Sequence, residues 1–253
     1  MNPIIRLVNR NITISLNPGF LIWQIIFPLI YIFIVGFAYA PLIQNVPFGV
    51  KDLGYPAFLA SGMIGFNIMN STLVSGIIIW NDRRHGMFEQ IMSGPFTRSH
   101  YILSNICTIG IIGLVSASLI ALVGYPVFFE SVEFSLITIP VIVFGAITGS
   151  ILFGSLASII STRLRSSEGF NVIINTVFLF FAFVSSAFYP ADNVPEPLRT
   201  AFYLNPLTYL VDVIRAGIFG NITQFVIIEM LILVGIASVL FVIASKLLTK
   251  LDF

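Results

Sequence analysis

Long charge-free apolar runs alternate with short charged patches along the chain. The apolar runs lie in Asn11–Val50, with its apolar heart at Phe20–Ala40, and in Leu53–Asn81, Tyr101–Phe129, Phe134–Thr162 and Gly169–Ala191. A last run extends from about Asn221 to Ser245 and is broken only by Glu229. Roughly 18 or more apolar residues suffice for a helix to cross ~30 Å of hydrocarbon. The pattern predicts an all-α integral membrane protein with six transmembrane helices, at about 20–41, 56–80, 101–128, 135–161, 169–189 and 222–245. The whole chain, 1–253, reads as a single transmembrane domain. Barrel strands need segments of ~10 residues with alternating polarity, and these runs are longer and apolar on all sides. Ala38-Tyr39-Ala40 resembles a signal cleavage site, but the apolar stretch before it exceeds the usual signal core of roughly 7–15 residues.

Composition agrees: of 253 residues, 57% are hydrophobic and 9% charged, with a formal net charge of +1. A soluble domain carries about 25% charged residues, so a water-exposed globule and a basic nucleic-acid binder are both excluded. The single cysteine, Cys107, leaves no internal disulfide framework. Nine Lys/Arg (Arg6, Arg10, Arg83, Arg84, Arg98, Arg163, Arg165, Lys246 and Lys250) fall on the termini and even-numbered loops. Three (Lys51, Arg199 and Arg215) fall on the odd-numbered loops. The positive-inside rule then places both termini in the cytoplasm.

The segments between the runs carry the remaining information. Asn2–Pro18 places Ile4, Ile5, Leu7, Val8 and Ile12 mostly on one face beside Arg6 and Arg10, which predicts an amphipathic interfacial helix. The loop after the second span holds Asp82, Arg83, Arg84, Gly86, Phe88 and Glu89, with Pro95 and Arg98 beyond. Its spacing predicts a short amphipathic helix over about 82–93, either a headgroup anchor or a docking surface for a cytoplasmic partner. The segment 197–220, after Pro190, contains two apolar pieces split at Asn205-Pro206, each too short to span. They read as two re-entrant half-helices or as a loop on the outer surface, and Asp212 and Arg215 are spaced to pair on one helix face. Glu229, about two turns into the sixth span, is a substrate-path residue, a proton site or a structural hydrogen-bonding group. Gly145-x-x-x-Gly149 and Ser150-x-x-x-Gly154 predict close helix packing in the fourth span. No phosphate-binding Gly-x-x-x-x-Gly-Lys-Ser/Thr loop and no His-Glu-x-x-His motif occur in the sequence, and no catalytic, cofactor-binding or metal-binding residues are assigned. Paired intramembrane carboxylates are absent too, which weakens a proton-coupled secondary transporter built on Glu229.

Two motifs carry a family resemblance. Asp82-Arg83-Arg84-His85-Gly86-Met87-Phe88-Glu89, followed by Pro95-Phe96-Thr97-Arg98, resembles an Asp-Arg-Glu-x-Gly-x-x-Glu…Pro…Ser/Thr-Arg loop, with Arg84 in place of Glu. Ser185-Ser186-Ala187-Phe188-Tyr189-Pro190, then Asn205-Pro206-Leu207-Thr208 and Arg215 to Gly220, resembles Ser-Gly-x-Phe-x-Pro…Asn-Pro-Leu/Val-Thr…Arg-x-x-x-x-Gly, with Ser186 in place of Gly. Together they resemble the permease subunits of type-2 ABC exporters over nearly the whole chain. Daunorubicin-resistance-type permeases are the nearest likeness, followed by nodulation-factor and polysaccharide exporters. The resemblance implies a non-enzymatic permease of the plasma (inner) membrane, paired with a second, identical permease. Two cytoplasmic ABC ATPase subunits would carry ATP-Mg, while this chain binds no cofactor. The loop at Arg83–Glu89 would be a coupling helix, the half-helices at Asn205-Pro206 would shape an external gate, and the cargo would be a hydrophobic drug-like, lipid or lipid-linked molecule.

Overall fold

The computed structural model describes residues 3–15, 18–43, 46–48, 51–128, 137–164, 166–191 and 194–249. Residues 135 and 136 of the expected fourth span lie outside the described residues. So do Asn2, Leu16 and Asn17 of the amphipathic segment, and Arg165 and Lys250 of the charge tally. The described residues are almost entirely helical. Helix α1 (Pro3–Ser15) is followed by α2 (Pro18–Tyr31), a π-helical stretch (Ile32–Gly36) and a last turn, α3 (Phe37–Tyr39). A small antiparallel hairpin, β1 (Val46–Phe48) with β2 (Lys51–Leu53), precedes α4 (Tyr55–Arg84). Then come α5 (Met87–Met92), α6 (Arg98–Phe128), α7 (Thr138–Arg163), α8 (Ser167–Phe183), α9 (Leu198–Leu204), α10 (Pro206–Phe219) and α11 (Gln224–Thr249).

Among the described residues, five helical segments are long and apolar enough to cross a membrane: Ile22–Tyr39, Tyr55–Arg84, Arg98–Gly124, Thr138–Arg163 and Gln224–Leu247. The expected fifth span, 169–189, is shorter than its apolar run, because α8 stops at Phe183. Its 17 residues extend about 25 Å at 1.5 Å each. Beyond it, Ser185, Ser186, Ala187 and Phe188 continue as buried, non-helical backbone. Irregular backbone of this kind is tolerated in an apolar setting only when protein encloses it. Gly62 on α4 provides the room: a Cβ there would lie 2.1 Å from the Ala187 carbonyl oxygen.

Helix α4 forms the centre of the bundle. Its apolar window is 81% buried, against 17% for α11, and it packs on α6, α7 and α10. Lipid is as apolar as leucine, so these contacts depend on close packing rather than on exclusion of water. Small residues supply that packing. Gly145 and Gly149 on α7 meet Ile214 and Leu210 of α10, Gly65 on α4 meets Val211, and Gly110 on α6 meets Ser150. The small-residue pattern of the fourth span therefore receives α10 as well as a full-length span.

Candidate functional site

The end of the bundle carrying α1, α5 and Arg163 is termed here the basic end, and the opposite one the far end. At the basic end, the expected 82–93 helix is divided. Asp82, Arg83 and Arg84 form the last turn of α4, because no proline or glycine interrupts the helix between Trp80 and Gly86. Gly86 has φ 70°, in the left-handed region that glycine adopts at little cost, and turns the chain into the six-residue α5. Phe88 and Ile91 fix α5 in a cluster with Leu7, Ile79, Tyr101, Ile102 and Ile106. At this water-facing end, burying each such side chain contributes about 1.5–3 kcal/mol. Glu89 and Gln90 remain exposed on the outer side.

The charged residues of the motif divide in the same way. Asp82 is 7% exposed and accepts two hydrogen bonds from Arg10 of α1, at 2.9 and 3.2 Å, and one from the Tyr101 hydroxyl at 2.8 Å. Asn11 donates to Asn105 at 2.7 Å beside it. Arg83 donates to the Ser161 carbonyl at 2.7 Å, fastening α4 to α7, and Arg84 lies over the Trp80 ring at 5.1 Å. Asp82 is therefore buried in a clasp within the subunit, and Arg83 is half-buried at the α4–α7 contact. Pro95 is exposed in the turn after α5. Arg98 opens α6 behind Thr97, whose hydroxyl accepts from the His100 amide.

At the far end, Asn205 caps α10. Its Oδ1 accepts from the Leu207 amide, and its Nδ2 donates to the carbonyls of Phe181, at 2.8 Å, and Val184. It thus ties the start of α10 to the end of α8. Pro206 takes the first helical position, where its missing N–H costs nothing, and Pro190 is buried where the chain leaves the Ser185–Phe188 segment. The charge tally places Arg215 on a loop, but it lies on α10 and is 1% exposed. It donates to Asp212 (2.9 Å), Ser61 Oγ (3.1 Å) and the carbonyls of Ser186 (3.0 Å) and Phe58 (3.3 Å), and lies 3.8 Å over the Phe58 ring. Ser186 Oγ donates to Asp212 at 3.0 Å. All three guanidinium nitrogens donate, in four hydrogen bonds, so Arg215 locks α10, α4 and the post-α8 segment together. Glu229 is five residues into α11, about 8 Å from its start, and lies within electrostatic reach of Asp212 and Arg215.

Among the described residues, no group of three or more His, Cys, Asp or Glu is close enough to hold a metal. A lateral cavity of about 450 Å³ lies between α2, α4 and α8, lined by Trp23, Phe27, Asn70, Leu73, Ile77, Ile174, Asn175 and Phe178. Asn171 and Asn175, one turn apart on α8, are exposed. The apolar-run pattern assigns no role to these asparagines, to Tyr101 or to Ser61. Polar positions inside otherwise apolar runs were the available signal.

A sequence model of the ABC-2 type transporter covers residues 4–219, which takes in α1, α5 and the α9–α10 pair. The chain belongs to the ABC-2 type transporter family. It is 28% identical to the transport permease ycf38 of Cyanophora paradoxa, over 81% of this chain and 69% of that protein. It is 24% identical to nodulation protein J of Rhizobium leguminosarum bv. viciae, over 88% and 84% of the two chains. The nodulation protein J of Rhizobium meliloti is similar at 26%, over 77% and 72%. This ABC-2 chain is thus a multi-pass membrane protein and a transport permease subunit, a class that is not itself enzymatic and whose family implies an ATPase partner.

Proposed function

We propose that this ABC-2 permease is the membrane half of an ATP-driven exporter, moving a hydrophobic, lipid or lipid-linked molecule out of the cytoplasm by alternating access. It acts as six spans with both termini in the cytoplasm, in the plasma membrane, paired with a second, identical copy and two ATPase subunits that hold ATP-Mg. The observation that carries the reading is the mounting of α5. A helix this short has little stability alone, yet Phe88 and Ile91 fix it to α4 and α6 and leave Glu89 and Gln90 outward. A push on α5 therefore reaches α4, the central helix. Asn205, Asp212 and Arg215 stiffen the far end where an external gate would act.

The lateral cavity supports the cargo class. Trp23, Phe27 and Phe178 offer aromatic faces, and Asn70 and Asn175 offer uncharged hydrogen-bonding groups. Polar side chains on a lipid-facing surface are costly, so they belong beside a partner, water or cargo. This combination favours an amphiphile with an uncharged polar head, such as a glycolipid or lipid-linked saccharide, over a purely apolar drug. The test is reconstitution with the cognate ATPase in proteoliposomes. ATP-dependent export that is lost in Glu89→Ala and kept in Glu229→Gln is expected. Transport driven by a proton gradient without ATP, and abolished by Glu229→Gln, would replace this reading with the secondary transporter.

A further inference from the structure

The contact between α2 and α4 contains an unused set of hydrogen-bonding groups. Gln24 on α2 is 1% exposed, and Asn67 and Ser71 on α4 are both 0% exposed. Ser71 Oγ lies 2.7 Å from Gln24 Oε1 and also 2.7 Å from the Asn67 carbonyl. One hydroxyl proton serves two acceptors, so the bond holding Gln24 is shared. Gln24 Nε2, Asn67 Nδ2 and Asn67 Oδ1 have no hydrogen-bond partner among the described residues. Buried amides in an apolar setting are costly in that state. Paired with each other, Gln24 and Asn67 satisfy all three atoms in one reciprocal amide–amide contact.

Asn67 and Ser71 are four residues apart, one helical turn or about 6 Å along α4. Three features of α2 permit a shift of that size. Pro28 lacks the N–H that the Gln24 carbonyl would otherwise accept, which loosens the helix at the Gln24 level. The π-helical stretch Ile32–Gly36 follows one turn later, a type of irregularity often found at functional sites. The aromatic residues of α2 repeat every four positions. Trp23 stacks on Phe27 at 5.3 Å, Phe27 lies 6.2 Å from Tyr31, and the row faces Phe66 and Phe188. An advance of one turn toward the far end puts Trp23 where Phe27 was and Phe27 where Tyr31 was. An aromatic ring then still occupies each place that faces Phe66 and Phe188, while Gly19 takes the place of Trp23, so these two ring contacts survive the move. Interfaces with this self-similarity switch between discrete registers and do not deform continuously.

We propose that the first membrane helix has two registers on the second, one turn apart, with Gln24 on Ser71 in this structure and paired with Asn67 in the other. The transport cycle moves the helix between them. The functional half of this proposal rests on the transport reading above, whereas the two registers are a property of the chain.

The test uses cysteine pairs that leave Gln24 and Asn67 intact, in a Cys107→Ser background, in membranes containing the full chain and its ATPase. Phe27→Cys with Phe66→Cys reports the register seen here, and Trp23→Cys with Phe66→Cys reports the other. Oxidative cross-linking in the nucleotide-free complex should favour the 27–66 pair at least fivefold, and trapping with ATP and vanadate should reverse that preference. Dominance of the 27–66 pair in both states overturns the proposal. Asn67→Leu supplies a second test. If the amide is merely structural, its replacement raises the melting temperature and leaves export unchanged, which also overturns the proposal. As a register partner, its loss raises the melting temperature, cuts export at least tenfold and traps the 27–66 cross-link. A chain that shows no ATP-driven export but still forms the 23–66 pair refutes the transport reading and leaves the two registers standing.

Discussion

Replacing Arg215 with methionine tests the account of the far end most directly. The side chain is 1% exposed and its partner Asp212 21%. Removing one member of a buried ion pair costs about 3–5 kcal/mol because the remaining charge is left without its partner. Here Asp212 keeps the Ser186 hydroxyl and some exposure, which moves the expectation to the lower end. The Ser186 carbonyl loses the guanidinium bond, adding about 1 kcal/mol. The Phe58 carbonyl still receives the Ser61 hydroxyl. Arg215→Met should therefore destabilise by ~4 kcal/mol, nearly a thousandfold in the folding equilibrium. Arg215→Lys keeps one point charge for Asp212 but has no fork to reach Ser61 and two carbonyls, so it should fall about midway, at ~2 kcal/mol. The assay is reversible unfolding in mixed micelles, with denaturant midpoints compared at equal slope. A lysine variant as stable as the parent, or a methionine variant within about 1 kcal/mol of it, would refute the claim that the fork holds three segments together.

Other expectations follow from the same contacts. Gly62→Ala should cost several kcal/mol or prevent accumulation, because its Cβ meets the Ala187 carbonyl at 2.1 Å. Gly235→Ala on the open face of α11, with nothing within 4 Å of its Cβ, should instead gain up to about 1 kcal/mol from helix propensity; equal melting temperatures for the two would contradict the packing. Asp82→Asn should weaken the clasp on Arg10 by about 1.4 kcal/mol, seen as roughly tenfold faster amide exchange over α1 with α7 unaffected. Glu89→Ala should change stability by less than about 0.5 kcal/mol, since the residue is exposed. It should nonetheless lower recovery of the ATPase in pull-downs, and undiminished recovery would remove the docking role of α5.

The sequence by itself determined that the chain is an all-α membrane protein. Apolar runs of this length have no other stable partner than lipid, and helices satisfy their own backbone there. It also located α1, the charged amphipathic segment after the second span, the break at Asn205-Pro206 and the Asp212–Arg215 spacing, because amphipathic periods, breakers and i,i+3 pairs are local signals; the division of the charged segment at Gly86 came from the structure. Tertiary structure decided what those residues touch. Hydropathy reads Ser185–Phe188 as membrane-embedded helix, yet the backbone there leaves the helix because Gly62 and Asn205 receive it. Arg215 counts as a loop cation in a charge tally, yet beyond Asp212 its acceptors come from positions 58, 61 and 186, and no local pattern reports partners that distant. Asp82 and Glu89 belong to one motif, but Arg10 and Tyr101 bury the first while the second stays exposed. In lipid, apolarity does not distinguish one helix neighbour from another. The choice among neighbours is made by shape and by scattered polar groups such as Gln24, Asn67 and Ser71, which take on meaning only once the helices stand side by side.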